Sequence, residues 1–130
     1  MTTLQLDTHV LHWWSAEPDR LSPAALRAVE GATELAVSAI TWYELAWLAH
    51  NDRITLAVPL RSWIDGLSAD VRTVPISASI AATAVELAPS FPGDPADRLI
   101  YATAVERGWQ LVTKDGRLRK HKHPRPITVW

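Results

Sequence analysis

Apolar positions along the chain recur in two rhythms. Short runs rich in aliphatic and β-branched residues predict strands at Thr3–Leu6, Leu35–Ser38, Val71–Val74, Gln110–Thr113 and Ile127–Trp130. Between them, apolar residues return at three- and four-residue spacing. That spacing predicts helices over about Thr8–Ser15, Pro23–Gly31, Ala39–Asn51, Leu60–Leu67, Ser77–Leu87 and Pro95–Arg107. Ser22 before Pro23 marks a helix start, and Gly31 and Gly108 mark helix ends. Ser90-Phe91-Pro92-Gly93 reads as a loop leading into the last long helix. Alternating strands and helices imply an α/β fold with a mostly parallel central sheet covered on both faces, here as one domain over residues 1–130. Such a sheet gathers chemistry at the carboxyl ends of its strands, around the point where strand order reverses.

Composition narrows the chemistry. With 48% apolar and 21% charged residues, the chain is expected to be an ordinary soluble globule. No stretch is long enough to span a bilayer, and Asp7 arrives too early for a signal peptide. The absence of cysteine excludes thiolate metal sites and disulfides, and fits the reducing cytoplasm expected for this chain. A formal net charge of −1 argues against a general polyanion binder and moves attention to how charge is distributed. Lys114 to Arg125 reads KDGRLRKHKHPR, with Asp115 its one acid. It is either a solvated basic surface or an edge that contacts phosphates.

The acids carry the sharper signal. Asp7 follows the first strand and Asp115 follows the Leu111-Val112-Thr113 strand, so both lie at strand carboxyl ends, where each is a helix cap or a site residue. Glu44 has Ile40, Trp47 and Leu48 at i−4, i+3 and i+4, a spacing that places it on a buried helix face. Asp97 has Ile100, Tyr101 and Ala104 at i+3, i+4 and i+7, again an apolar stripe carrying a carboxylate. Buried carboxylates need a partner cation, a salt bridge or a metal. Asp94, one turn before Asp97, is expected to cap that helix with Pro95 at its first position, direct membership of the site being the rival reading. Four carboxylates at one sheet edge repel one another and raise their own pKa values, a conflict that a divalent cation removes. Hard oxygen donors without cysteine point to Mg²⁺ or Mn²⁺, and to phosphodiester hydrolysis.

Other residues near these acids have structural readings at least as good. Thr8, Ser38 and Thr113 at strand ends either bond site groups or cap and turn the chain. His9 and His12 are not expected to ligate a hard cation. Trp13 and Trp14 are adjacent, so one helix face cannot bury both, and one of them is expected to reach an interface.

Three segments in order, LDTHVLHWW, VSAITWYELAWL and GDPADRLIYATAVERGWQLVTKD, resemble the VapC-type toxins among the PIN-domain ribonucleases over essentially the whole chain. The resemblance implies a PIN-like three-layer fold. It also implies Mg²⁺- or Mn²⁺-dependent cleavage of RNA, usually as a homodimer, held inactive by a cognate VapB-type antitoxin. The family's acids fall on Asp7, Glu44, Asp97 and Asp115, and Asp94 matches an additional acid of part of the family. On this resemblance Asp7 and Asp97 are the main metal ligands, while Glu44 and Asp115 complete the pocket through water or by orienting the attacking water. Arg98, Lys114, Arg117, Arg119, Lys120 and Lys122 are the candidate contacts to RNA phosphates. Leu118 stands where the family often has an aromatic, a departure expected to affect packing alone. Two rival readings are a phosphatase with an aspartyl nucleophile, which usually has a second Asp where His9 stands, and a non-catalytic PIN-like binding module.

Overall fold

Five parallel strands form one sheet in the order β3-β2-β1-β4-β5: β1 (Thr3–Leu6), β2 (Glu34–Ser38), β3 (Arg72–Val74), β4 (Gln110–Val112) and β5 (Thr128–Val129). The computed structural model describes residues 2–121 and 126–130. The helices are α1 (Thr8–Ala16), α2 (Pro23–Gly31), α3 (Ile40–His50), α4 (Leu60–Ser68), α5 (Ala78–Glu86), α6 (Pro95–Arg107) and α7 (Gly116–Arg119). A 3₁₀ turn at Pro18–Arg20 and the short α7 have no counterpart in the sequence reading; the other elements agree with it to within a residue or two at their ends.

Strand parity builds the three layers. In β1, Leu4 and Leu6 turn to one face and meet Val10, Leu11, Ala25, Val29, Leu45 and Leu67. Gln5, between them, faces the other way and donates Nε2–H to the Ile100 carbonyl of α6 at 2.8 Å. Neighbouring strands obey the same alternation. Val37 and Val112 join the first core, whereas Ala36 and Leu111 belong to cores built on α5, α6 and α7. Small side chains at Ala36, Ala84 and Ala102 let α5 and α6 lie close to the sheet and to each other.

Helix α6 has a built stop. Gly108 takes φ 69° and ψ 29°, and the Trp109 amide reaches back to the Ala104 carbonyl at 3.0 Å. A Cβ at Gly108 would meet open space, so only the backbone conformation opposes it. Gly108→Ala should therefore lower unfolding free energy by about 1 kcal/mol in urea titrations, with no change in m-value.

Neither of the adjacent tryptophans is fully buried, as their adjacency on one helix predicts. Trp13 and Trp14 are both half-buried and pack against the first core. The indole of Trp13 is surrounded by His9 at 4.9 Å, Trp130 at 6.0 Å and the Arg20 guanidinium at 4.5 Å. Among the described residues, the most exposed large aromatics are Tyr43 and Trp47 on α3. Among the described residues, no helix is long and apolar enough to cross a membrane.

Candidate acidic active site

Strand order reverses between β1 and β4, because the chain runs outward through β2 and β3 and then returns to the other side of β1. Asp7 and Asp115 follow those two strands. Asp7 is 4% exposed. Its Oδ1 accepts the Thr8 amide at 2.8 Å as the cap of α1, and its Oδ2 accepts the Thr113 hydroxyl at 2.7 Å. Cap and site residue are thus compatible roles of one carboxylate, and Thr113 aims it. The Thr113 Oγ1 also accepts the Asp115 amide at 3.0 Å, tying the two strand ends together.

Asp97 enters from the first turn of α6, where the helix dipole favours an anion. The sequence expectation holds here: Ile100, Tyr101 and Ala104 are fully buried beside it. The Gln5 bond to Ile100 fixes α6 against β1 and so sets the height of Asp97 relative to Asp7. Nothing in the sequence singled out Gln5, apart from a polar residue standing within a strand. Asp94 adopts the cap position of α6 but makes no side-chain capping bond, contrary to expectation.

Glu44 differs from its expected setting. The buried side chains of α3 are Thr41 and Leu45, and Trp47 is 45% exposed, so Glu44 lies at the margin of the buried face rather than in its centre. Its Oε1 accepts the Thr8 hydroxyl at 2.5 Å, and that hydroxyl also meets Thr41 Oγ1 at 3.0 Å. Glu44, Asp94, Tyr43 and Trp47 line a cavity of about 440 Å³ between α3 and the start of α6. Ser38 has the turn role, accepting the Ile40 amide at 3.3 Å.

The electrostatics divide the acids. Burial, then repulsion from Asp94 and Asp7, pushes the Asp97 carboxyl up to about 7, with Arg117 opposing. Burial raises Glu44 as well; the Thr8 bond holds it back and Asp7 and Asp94 push it further. Asp115 moves the opposite way, held low chiefly by its hydrogen bonds with Arg117. The expectation that crowding raises every carboxylate is therefore corrected: one acid has a cation of its own. Arg117 donates Nε to Asp115 Oδ1 at 3.1 Å, and Nη2 to Asp115 Oδ2 at 2.6 Å and Asp97 Oδ2 at 3.1 Å.

The remaining candidates separate clearly. Arg98 donates to the carbonyls of Pro92, Ala84 and Phe91 at 2.9, 3.0 and 3.1 Å, so its fork is spent on tying α5 and the loop before α6 to that helix rather than offered to phosphate. Lys114, Arg119 and Lys120 are exposed around the strand end and α7, and Lys120 borders a cavity of about 470 Å³ with Arg117 and the 90–93 loop. Lys122 lies outside the described residues. His9 accepts the Lys114 amide at Nε2 (3.1 Å), leaving Nδ1 to face Asp7 Oδ2 at 3.6 Å, and burial lowers its pKa.

Among the described residues, no three His, Asp or Glu side chains are drawn together tightly enough to close around one ion. The donors that face the switch point are nevertheless carboxylate oxygens, two of them with pKa values raised by burial and mutual repulsion. That set fits Mg²⁺ or Mn²⁺, whose sites use one or two carboxylates and keep several waters.

Comparison with known proteins agrees with this arrangement. The sequence profile of the family described as PIN domain matches residues 5–124. Ribonuclease VapC22 of Mycobacterium tuberculosis is 68% identical over 130 residues, covering all of both chains. The fold is similar to VapBC2 from Rickettsia felis bound to a promoter DNA fragment, with TM-score 0.70, 18% identity and 98% and 97% of the two chains covered. It is also similar to a toxin–antitoxin complex from Klebsiella pneumoniae, with TM-score 0.64, 24% identity and 86% of each chain covered. The chain belongs to the PIN-domain family, among its VapC-type members.

Proposed function

We propose that this chain is a metal-dependent ribonuclease that hydrolyses RNA phosphodiester bonds, and that it is the toxin of a toxin–antitoxin pair restrained by a VapB-type antitoxin. What supports the reading is that Asp7 and Asp115, at neighbouring strand ends, both bear on the charge of Asp97, and that Glu44 lies beside Asp7 through Thr8, in a chain 68% identical to a ribonuclease. Relatives solved as VapBC complexes support the antitoxin partner. A homodimer acting in the cytoplasm, each chain a single PIN domain, completes the proposal.

Asp7 and Asp97 would hold the divalent ion, Mg²⁺ or Mn²⁺, and Thr113 keeps Asp7 in place for it. When bound, that ion would supply an acidified water and positive charge to offset that of the phosphate. Glu44 takes the proton of the attacking water at the oxygen that Thr8 leaves unused; its raised pKa moves it toward the range a general base needs. Asp115 orients water at the rim. Asp94 adds negative charge beside Asp97 and Glu44, which strengthens the pocket's demand for a cation. Lys114, Arg117, Arg119, Lys120 and Lys122 hold the strand's phosphates, a role in which Arg98 no longer figures.

The experiment is incubation of purified protein with structured RNA, with Mg²⁺ or Mn²⁺ and with chelator, followed by end-mapping. Discrete internal cuts are expected with metal, and none with chelator or in Asp7→Asn. Release of inorganic phosphate from monoesters in place of internal cuts would point to the phosphatase instead. Binding of uncleaved RNA to Asp7→Asn should also depend on salt, at roughly 0.7 log units per phosphate contact. Replacing Arg119 and Lys120 by Ala should flatten that slope by about one unit or slightly more, without moving the cut sites.

A further inference from the structure

We propose that Arg117 is a tethered counter-cation of the acidic pocket: its guanidinium and a divalent ion exclude one another at Asp97, and metal loading frees Arg117 for substrate phosphate. The inference rests on the reading of these acids as a metal pocket. One guanidinium nitrogen, Nη2, joins carboxylates from two separate elements, Asp97 of α6 and Asp115 at the cap of α7. The Arg117 amide and Nε both hold Asp115 Oδ1, so the residue is anchored to one acid and reaches across to the other. Among the described residues, no other basic side chain pairs with Asp97.

An arginine does not give up its proton, so it cannot surrender Asp97 to a metal by becoming neutral. The two positive charges would share one carboxylate oxygen region, and repel. The side chain is 63% exposed and has somewhere to go, since it also borders the cavity of about 470 Å³ next to the 90–93 loop and Lys120. Displaced to that side, its planar fork suits a phosphate better than a lysine would. Arg119, on the same short helix, forms no ion pair among the described residues and controls for a general loss of charge.

Calorimetric titration of the intact protein with Mn²⁺ at pH 8 tests this without any activity readout. Arg117→Gln should bind Mn²⁺ about tenfold tighter than wild type, the effect of removing a unit charge a few ångströms from a divalent ion in a wet pocket. Arg119→Gln should stay within about twofold, and Arg117→Lys, which keeps the charge without the fork, should fall between wild type and Arg117→Gln. Equal or weaker binding by Arg117→Gln overturns the exclusion and leaves the metal pocket standing. Equal Mn²⁺ binding by wild type and an Asp7→Asn/Asp97→Asn protein overturns the pocket, and this inference with it.

Discussion

In metal-free buffer at pH 8, an Asp97→Asn protein should be more stable than wild type by roughly 2–4 kcal/mol, while its RNA cleavage falls by roughly a hundredfold or more. The stability half follows from linkage. The carboxyl of Asp97 is pushed up to about 7, chiefly by burial, from an unfolded value near 4. A group whose folded pKa is raised favours folding while it is protonated. That contribution is intact below about pH 4 and is lost as pH rises through about 7. At pH 8 wild type carries the full penalty of an ionised, half-repelled carboxylate, and Asn carries none. Arg117 is already counted in this balance, because its attraction lowers the same pKa. Urea denaturation of both proteins in chelator should show curves nearly coincident at pH 4 and separated at pH 8. Adding millimolar Mg²⁺ should then reverse the order, because the ion binds the folded wild type and stabilises it by mass action. A wild type that stays the more stable protein at pH 8 in chelator, or that gains no more from Mg²⁺ than the Asn protein, would sink the shared-pocket account.

How much of this was legible in advance depends on which force decided each feature. Asp7 and Asp115 were readable because each follows an apolar run by a residue or two, and a parallel sheet turns strand ends into a shared edge. Asp97 was readable because Ile100, Tyr101 and Ala104 stand three, four and seven residues after it, and the structure buries all three. Glu44 was found through neighbours that turned out to be the wrong ones. Helix α3 reads ITWYELAWLAH, apolar on nearly every face, so spacing alone could not say which side the core would take. The sheet took Thr41 and Leu45, leaving Tyr43 and Trp47 in solvent and Glu44 on the boundary.

The short-range polar contacts were the least legible. A four-residue helix has no periodicity, so Gly116–Arg119 was read as part of a basic run, and the direction of Arg117 was invisible. That direction lowers Asp115 while Asp97 and Glu44 rise. Arg98 was chosen for its place on the site helix, yet its guanidinium is taken by the Ala84 carbonyl of α5 and the Phe91 and Pro92 carbonyls of the loop before α6. Asp94 has the backbone angles of a cap without the bond, so what it contributes to this end of α6 is charge. Each of these outcomes turns on side-chain directions and on distances of a few ångströms, mostly between residues near one another in sequence, which apolar periodicity does not encode.

Glu44→Gln should lower RNA cleavage by roughly a hundredfold to a thousandfold while leaving metal-free stability equal to wild type or higher. The substitution keeps the local hydrogen bond, because the amide oxygen of glutamine can accept the Thr8 hydroxyl as Oε1 does now. It removes a carboxylate whose ionisation burial disfavours and which Asp7 and Asp94 repel. Its raised pKa means that Glu44 contributes stability at low pH that fades as pH rises past the ordinary glutamate range, so any gain from Gln should appear at neutral pH and vanish in acid. Among the described residues no lysine, arginine or histidine pairs with Glu44, which leaves a structural salt bridge without a partner. Glutamine cannot accept a proton from the attacking water at neutral pH, so a loss of rate with an intact fold is the signature of a base. Denaturation midpoints at pH 5 and pH 7.5, measured beside single-turnover cleavage at saturating Mg²⁺, separate the two roles. A Glu44→Gln protein that cuts RNA at the wild-type rate, or that unfolds at clearly lower urea at pH 7.5, would assign Glu44 to the scaffold and leave the proton to another acid.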